Sequence, residues 1–325
     1  MDTVRPAEER ARACVYFVVP CYNDAEVLPV SVPVFLKKLD ALTERGAASE
    51  KSALVLINDG SADETWQTIV SLRTQDRRIV GIDMARNAGE QNALLAGLSY
   101  AASRADCAIT MDSDLQDDID AVDEMLARYA SGDELVLGVR SGRKDDPFTE
   151  RLASGLFYRL MALAGTGQIR EHANYRLMSR RAIGLLLQHK ETNYYLPCVV
   201  SNMGLRRSAV YHERFPRAAG SSGYTIVKKL RLALDAVVAH SRLPLKLITC
   251  AACFCALLFV ACLIAAFAVG GETRLCLWAL CAAFLIGALL LFAVRVGAEY
   301  AYKAFQEARA APRWQIGEIL DGDQP

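Results

Sequence analysis

The most chemically specific residues in the chain are two aspartates separated by one residue, Asp112 and Asp114, followed closely by Gln116. They come directly after a short apolar run, Ala108 to Met111, which predicts a strand. Carboxylate and amide oxygens are hard ligands that suit Mg²⁺ or Mn²⁺, and such an ion can bridge the phosphates of a nucleotide. Asp-rich turns are common, so this spacing is a weak signal by itself and its surroundings must support it.

The surroundings are a regular alternation of predicted strands and helices. Short apolar runs rich in branched residues occur at Val15 to Val19, Leu54 to Ile57, Ile79 to Ile82, Ala108 to Met111 and Leu135 to Val139. Longer stretches with helical spacing lie between them, for example Ala93 to Ala102. This alternation predicts a parallel sheet that is covered by helices on both sides.

Polar residues follow several of these runs. In an open parallel sheet, ligands bind at the carboxyl ends of the strands, so carboxylates from three strand ends are expected to converge there. Pro20 to Asp24 follow the first run, and Asn58 to Glu64 follow the second. The second cluster also fits a glycine turn with a capping box of Ser61 and Glu64, but capping does not require Asp59.

Two long uncharged segments predict a membrane anchor. The chain has 325 residues, of which 53% are hydrophobic and 23% charged, which excludes a disordered or collagen-like protein. Leu247 to Val269 and Leu275 to Val294 contain no charge and hold 23 and 20 residues. Because about 20 apolar residues span a bilayer core, the two segments predict a transmembrane hairpin. A buried helical hairpin in a soluble core is the alternative.

The charges are unevenly distributed although the net charge is zero. Residues 170–246 carry 14 basic and 4 acidic side chains, and this basic segment leads into the first span. By the positive-inside rule, both termini are expected in the cytoplasm, and residues 1–13 lack the apolar core of a signal peptide. A basic belt there also attracts anionic lipid phosphates. A nucleic-acid patch is the competing interpretation, disfavoured by the position beside the spans.

The ten cysteines suggest no disulfide framework.

Four motifs in order resemble one family. They are Val18 to Asp24, the DGSxD at Asp59 to Asp63, Arg86 to Gln91, and MDSDLQDD at Met111 to Asp118. Together they resemble the family 2 glycosyltransferases and, more narrowly, the polyprenyl-phosphate glycosyltransferases. The resemblance runs from about Val15 to Tyr300. It implies a GT-A-like, Rossmann-like sheet domain followed by amphipathic juxtamembrane helices and a two-helix transmembrane hairpin.

The resemblance also implies roles for individual residues. The nucleotide is expected to contact Pro20, Tyr22, Asp24, Glu26, Asp59 and Asp112. Mg²⁺ or Mn²⁺ is expected on Asp114, Gln116 and Asp112. The acceptor phosphate is expected on Arg140, Arg151, Ser154 and Arg176, because guanidinium groups bind phosphate oxygens bidentately, although each arginine could instead form a surface ion pair. The expected catalytic set is Asp112, Asp114, Arg140, Arg151 and Arg176.

Two positions depart from the family pattern. Relatives commonly have Glu where this chain has Asp24, although Glu26 lies close enough to substitute. They also commonly have Asp where this chain has Asn174. A polyprenyl phosphate is already an anion near pH 7, so its attack does not require a base, and the second departure is tolerable.

The predicted organisation has five parts: a tail at 1–13, a catalytic domain at 14–218, juxtamembrane helices at 219–243, two spans at 244–298 and a cytoplasmic tail at 299–325. The predicted activity is the inverting transfer of one sugar from a nucleotide sugar to a polyprenyl (undecaprenyl) phosphate at the cytoplasmic membrane face. UDP-glucose is the expected donor, with GDP-mannose or another UDP-sugar as alternatives. Similar relatives also suggest a homotetramer. The rival functions are a non-catalytic membrane adaptor of the same fold and a processive polysaccharide synthase, which usually needs more spans.

Overall fold

A computed structural model of the chain describes residues 12–140, 172–189, 196–201, 203–213, 215, 272–309 and 312–322. The predicted ligands Arg151 and Ser154, the juxtamembrane helices and the first predicted span lie outside the described residues. The second predicted span lies within them.

Eight strands of the described residues form one sheet in the order β7-β5-β6-β4-β1-β2-β3-β8. Their bounds are β1 Val15–Cys21, β2 Ala53–Asn58, β3 Ile79–Met84, β4 Cys107–Thr110, β5 Leu135–Arg140, β6 His172–Ser179, β7 Arg207–His212 and β8 Ile316–Leu320. Strands β4, β1, β2 and β3 are parallel to one another, and β6 and β8 run antiparallel to their neighbours. The five strands predicted from apolar runs are all confirmed.

Helices lie on both faces of this sheet. Their bounds are α1 Leu28–Glu44, α2 Thr65–Gln75, α3 Glu90–Ala101, α4 Ala121–Ala130, α5 Arg180–Gln188, α6 Leu196–Ser201 and α7 Glu272–Arg309. Alternate residues of β1 point to opposite faces, so Phe17 packs in a core with Phe35 of α1, whereas Val18 packs in a second core with Leu94 of α3. Both cores are buried, as the near-continuous apolar strands require.

The approach of α3 to the sheet depends on a glycine. A methyl group at Gly97 would lie 2.6 Å from Cγ1 of Val18 and 2.7 Å from Cδ1 of Ile57. Both distances are shorter than carbon atoms tolerate, so only glycine allows the helix to pack this closely. The close packing fixes the N-terminus of α3 at the carboxyl edge of the sheet.

The C-terminal part of the chain differs from the prediction. The segment predicted as a cytoplasmic tail contains β8, which pairs with β3, and α7 continues to Arg309, beyond the predicted end of the second span. The backbone N–H of Ala85 donates to the carbonyl of Gln315 at 2.9 Å. Trp314, Ile316 and Ile319 pack against the α3 side of the sheet. These residues therefore belong to the catalytic sheet.

Candidate active site

The loops after β1, β2 and β4 meet at one edge of the sheet, as the parallel strands predicted. The hydroxyl of Ser113 donates to Asp24 at 2.8 Å, which joins the loop after β4 to the loop after β1. The backbone N–H of Asn23 donates to the Ser61 hydroxyl at 3.0 Å, which joins the loop after β1 to the loop after β2. The structure therefore brings the three predicted acidic motifs into one site.

The local backbone supports a functional role for these loops. Within the described residues, Asn23 and Leu115 are the non-glycine residues with positive φ, each at 55°. Such conformations cost of order 1 kcal/mol or more for residues other than glycine and cluster at functional sites. One lies beside Asp24, and the other separates Asp114 from Gln116. These two backbone conformations therefore lower the stability of the fold while they shape the loops at this edge of the sheet.

Asp24 lies in the loop after β1 and contacts the loop after β4. It accepts hydrogen bonds from the Ser113 hydroxyl and, at 3.1 Å, from the backbone N–H of Tyr22. Burial raises the pKa of Asp24, and the negative charges of Asp114 and Asp63 raise it further. The predicted neighbours Tyr22 and Glu26 are exposed at the rim of the site, and Pro20 is partly buried in β1.

Asp59 holds another loop in place. Only 3% of this residue is exposed, and its two carboxylate oxygens accept from the backbone N–H groups of Ala88 at 2.7 Å and Gly89 at 2.9 Å. These two residues directly precede α3. The structure therefore gives Asp59 a positioning role, in which it fixes the start of α3, and its predicted contact with the nucleotide stays a prediction.

The DxD pair occupies the centre of the site. Asp114 is 9% exposed and accepts from the backbone N–H of Gln116 at 3.2 Å. Asp112 is partly exposed, and its Oδ2 lies 3.8 Å from Nη2 of Arg140. Burial raises the pKa of Asp112 well above its ordinary value, and the negative charges of Glu90 and Asp117 raise it further, while Arg140 opposes them. Acidic groups therefore crowd this carboxylate.

Arg140 is bound by a residue that sequence reasoning missed. Its Nε donates to Oδ1 of Asp117 at 2.9 Å, and its Nη2 donates to Oδ2 of the same residue at 3.3 Å. Asp117 is 9% exposed. It belongs to the acidic MDSDLQDD run, but the run alone does not tell which carboxylate turns inward. Arg140 is thus held at the site, already paired on one side.

Arg176 lies within β6 and contacts Asn174. This side chain is fully buried, and its Nη2 donates to Oδ1 of Asn174 at 2.9 Å. The side-chain amide of Asn174 in turn donates to the carboxylate of Glu90. The predicted contact of Arg176 with the acceptor phosphate stays a prediction. The structure shows a link from Arg176 through Asn174 to Glu90, which the sequence did not predict.

The raised pKa of Asp112 predicts a pH effect on stability. Because the folded state binds this proton more tightly than the unfolded state, this carboxyl stabilises the fold less as pH rises from its ordinary pKa through its raised value. The Asp112→Asn variant has no carboxyl at this position, so its stability does not fall in this way as pH rises. We expect its melting temperature relative to the parent protein to increase from about pH 5 to about pH 8, measured with a metal chelator present. The exposed control Glu124→Gln should show no such trend. Plots of melting temperature against pH that run parallel for the parent and for Asp112→Asn would contradict the prediction.

Comparison with known proteins identifies the class. Residues 16–212 match the model of glycosyl transferase family 2, and the chain belongs to this family. It is therefore a glycosyltransferase, and its mostly parallel sheet is GT-A-like.

Two of its relatives match almost the whole chain, and a third matches about 72% of it. It is 32% identical over 320 residues to the uncharacterized glycosyltransferase YkoT of Bacillus subtilis (strain 168), covering 97% of this chain and 95% of that protein. It is 30% identical over 307 residues to the bactoprenol glucosyl transferase of Shigella phage SfX, covering 93% and 98%. The enzyme of the same name from Shigella phage SfV is 32% identical over 236 residues, covering 72% and 74%.

Proposed function

We propose that this glycosyltransferase transfers a single sugar from a nucleotide sugar to a polyprenyl phosphate at the cytoplasmic face of a membrane. The observation that carries the proposal is α7, which contains a candidate membrane span of 21 residues, Leu285–Phe305, whose most apolar window is not buried. This span overlaps the C-terminal half of the predicted span Leu275 to Val294. A helix of this length and exposure fits a bilayer better than a soluble core. The names of the two phage relatives support a bactoprenol-type acceptor and a glucosyl group.

The sheet topology supports a second crossing before α7. Strand β7 precedes the membrane segment and β8 follows it, yet both belong to the same sheet. If α7 crosses the bilayer, the chain must cross once more between β7 and α7 to return to the same side. The run Leu247 to Val269 is the apolar segment available there. In this proposal both termini lie on the cytoplasmic side, and the parts at 1–13, 14–218, 219–243, 244–298 and 299–325 stay predictions. Within the last part, β8 pairs with β3.

The same connection supports a site near the lipid surface. In the β3–β8 pair, Ile316 lies opposite Met84, which is the carboxyl end of β3. The chain that leaves α7 therefore enters the sheet at the edge where the acidic loops meet. An acceptor whose phosphate lies at the membrane surface and whose tail remains in the bilayer fits this placement.

The oxygen-bearing side chains of the DxD loop suit a divalent cation. Among the described residues no group of three or more His, Cys, Asp or Glu side chains is arranged to hold a metal ion. Mg²⁺ bound to a nucleotide needs only one or two protein carboxylates, because phosphates and water complete its shell. The crowding of acidic groups around Asp112 favours a cation at this place. Asp112 and Asp114 would hold Mg²⁺ or Mn²⁺, with Gln116 as a further oxygen ligand, and the bound ion would stabilise the departing diphosphate as a Lewis acid.

The chemistry requires no protein base. A phosphate oxygen of the acceptor forms a bond to the anomeric carbon while the bond from that carbon to the donor diphosphate breaks, which inverts the configuration. The acceptor is anionic near pH 7, so the protein has to orient it and balance its charge. Arg140 would supply positive charge beside Asp112, with Arg151, Ser154 and Arg176 as the further proposed phosphate ligands. UDP-glucose stays the expected donor, and a homotetramer stays the expected assembly.

The decisive experiment presents the purified full-length chain with undecaprenyl phosphate, Mn²⁺ and a panel of UDP- and GDP-sugars. Mass spectrometry of the lipid fraction should show one added sugar with one donor, with release of the matching nucleoside diphosphate. Sugar chains of increasing length would indicate a processive synthase. Donor binding without transfer to lipid or any other acceptor would indicate an adaptor, and either result would overturn the proposal.

A further inference from the structure

Glu90 and Asn174 form a bonded pair at the active-site edge. Glu90 is the first residue of α3, and its carboxylate accepts from the side-chain amide of Asn174 near the start of β6. The oxygen of that amide accepts from Nη2 of Arg176 at 2.9 Å. An amide both donates and accepts, so Asn174 can bridge a carboxylate and a guanidinium, whereas a carboxylate can only accept.

The pair explains the departure at position 174. The family resemblance implies an aspartate there, which could pair with Arg176 but would place a second negative charge against Glu90. This chain instead has a neutral amide at 174 and a carboxylate at 90. The carboxylate of this pair therefore belongs to α3, and its partner on β6 is neutral.

The position of Glu90 suits contact with a ligand. Its N-terminal neighbours Ala88 and Gly89 are fixed by the buried carboxylate of Asp59. The side chain is partly exposed and lies close enough to Asp112 for the two charges to interact. The carboxylate thus stands on a rigid helix start beside the DxD pair. A carboxylate so held accepts hydrogen bonds from hydroxyl groups, and the hexose of a nucleotide sugar carries several.

We propose that Glu90, oriented by Asn174, binds hydroxyl groups of the donor sugar and helps to determine which sugar is transferred. This proposal rests on the proposed function, because it takes the ligand at this site to be a nucleotide sugar. It assigns Asn174 a positioning role, and it gives Glu90 no part in proton transfer.

The test compares three variants: Glu90→Gln, Asn174→Asp and the double variant. Each single variant should lower kcat/KM for the donor by about 10- to 100-fold, because hydrogen bonds to a charged group are lost or two carboxylates oppose each other. The double variant should recover the stability lost in Asn174→Asp but not the donor kcat/KM lost in Glu90→Gln, because its carboxylate lies on β6 and no longer at the start of α3. Circular dichroism melting should show that all three variants fold.

Calorimetry separates binding of the sugar from binding of the nucleotide. The probes are UDP-glucose and UDP, or GDP-mannose and GDP if the donor panel selects guanine. Glu90→Gln should weaken binding of the nucleotide sugar by about 10- to 100-fold and change binding of the diphosphate by less than about 2-fold. Glu124→Gln, an exposed glutamate of α4, is the matched control and should change neither.

Three results would overturn the proposal. The first is unchanged nucleotide-sugar binding in Glu90→Gln. The second is an equal loss of diphosphate binding, which would show that Glu90 only supports the loop. The third is a higher activity of Asn174→Asp than of the parent, which would show that this position lacks a needed carboxylate. If the binding difference appears but polyprenyl phosphate is not glycosylated, the proposed acceptor fails and the assignment of Glu90 stands.

Discussion

Replacing Asp114 with asparagine is expected to lower the rate of sugar transfer by about 1,000-fold. A metal ion acting as a Lewis acid supplies several kcal/mol of transition-state stabilisation, and each 1.4 kcal/mol changes a rate about tenfold. The asparagine oxygen can still accept the 3.2 Å hydrogen bond from the backbone N–H of Gln116, so the loop should keep its shape. The measurement is initial rate at saturating donor across a Mn²⁺ titration.

The control for this variant lies in the same acidic run. Asp118→Asn changes a carboxylate that accepts from the backbone N–H of Asp120 at 2.9 Å at the start of α4. It should keep most of the activity and the same Mn²⁺ dependence as the parent. An Asp114→Asn enzyme with unchanged rate and unchanged Mn²⁺ dependence would show that the ion, if required, binds elsewhere.

Replacing Gly60 with alanine is expected to disable the site through the backbone. Gly60 has φ +60°, and an added methyl group would lie 2.4 Å from the backbone N of Asn87 and 2.7 Å from the carbonyl carbon of Arg86. Because both contacts are backbone atoms, the loop before α3 must shift. The shift would break the hydrogen bonds from Ala88 and Gly89 to Asp59 and displace Glu90. We expect a loss of about 2–4 kcal/mol in stability and at least about 100-fold in activity.

Gly204 provides the matched control for Gly60→Ala. Its φ is +67°, nearly the same, but among the described residues no other atom is found within 4 Å of the added methyl group. Gly204→Ala therefore measures the backbone strain alone, which should cost about 1 kcal/mol in thermal unfolding and leave activity intact. Equal losses of stability and activity in the two variants would show that contact between the loops does not matter.

The parts of the fold that could be predicted are those with a recurring sequence pattern. The strands β1 to β5 are runs of branched apolar residues, and burial on both faces leaves such runs nearly continuous. The acidic loops could be placed together because parallel strands end at one edge. The parallel direction of the strands is therefore enough to predict that these loops meet. It does not predict individual contacts such as the hydrogen bond from Ser113 to Asp24.

The parts that could not be predicted depend on contacts between distant segments. Asp117 and Asp118 are adjacent acidic residues, and only the fold decides that Asp117 turns inward to Arg140. Arg176 matches a family motif, but its position within β6 encloses it and directs it to Asn174. The five-residue strand β8 has no distinctive pattern, because an edge strand is stabilised by its partner more than by its own sequence.

The pairing of β3 with β8 affects how the protein is made. Gly81 is translated early, but its partner Leu320 is translated last among the paired residues of β3 and β8. At about 5–20 residues per second, roughly 10–50 s of synthesis separate them. During that interval β3 is an open sheet edge, which readily associates with other chains. The nascent protein therefore exposes this edge until β8 has been synthesised and has paired with β3.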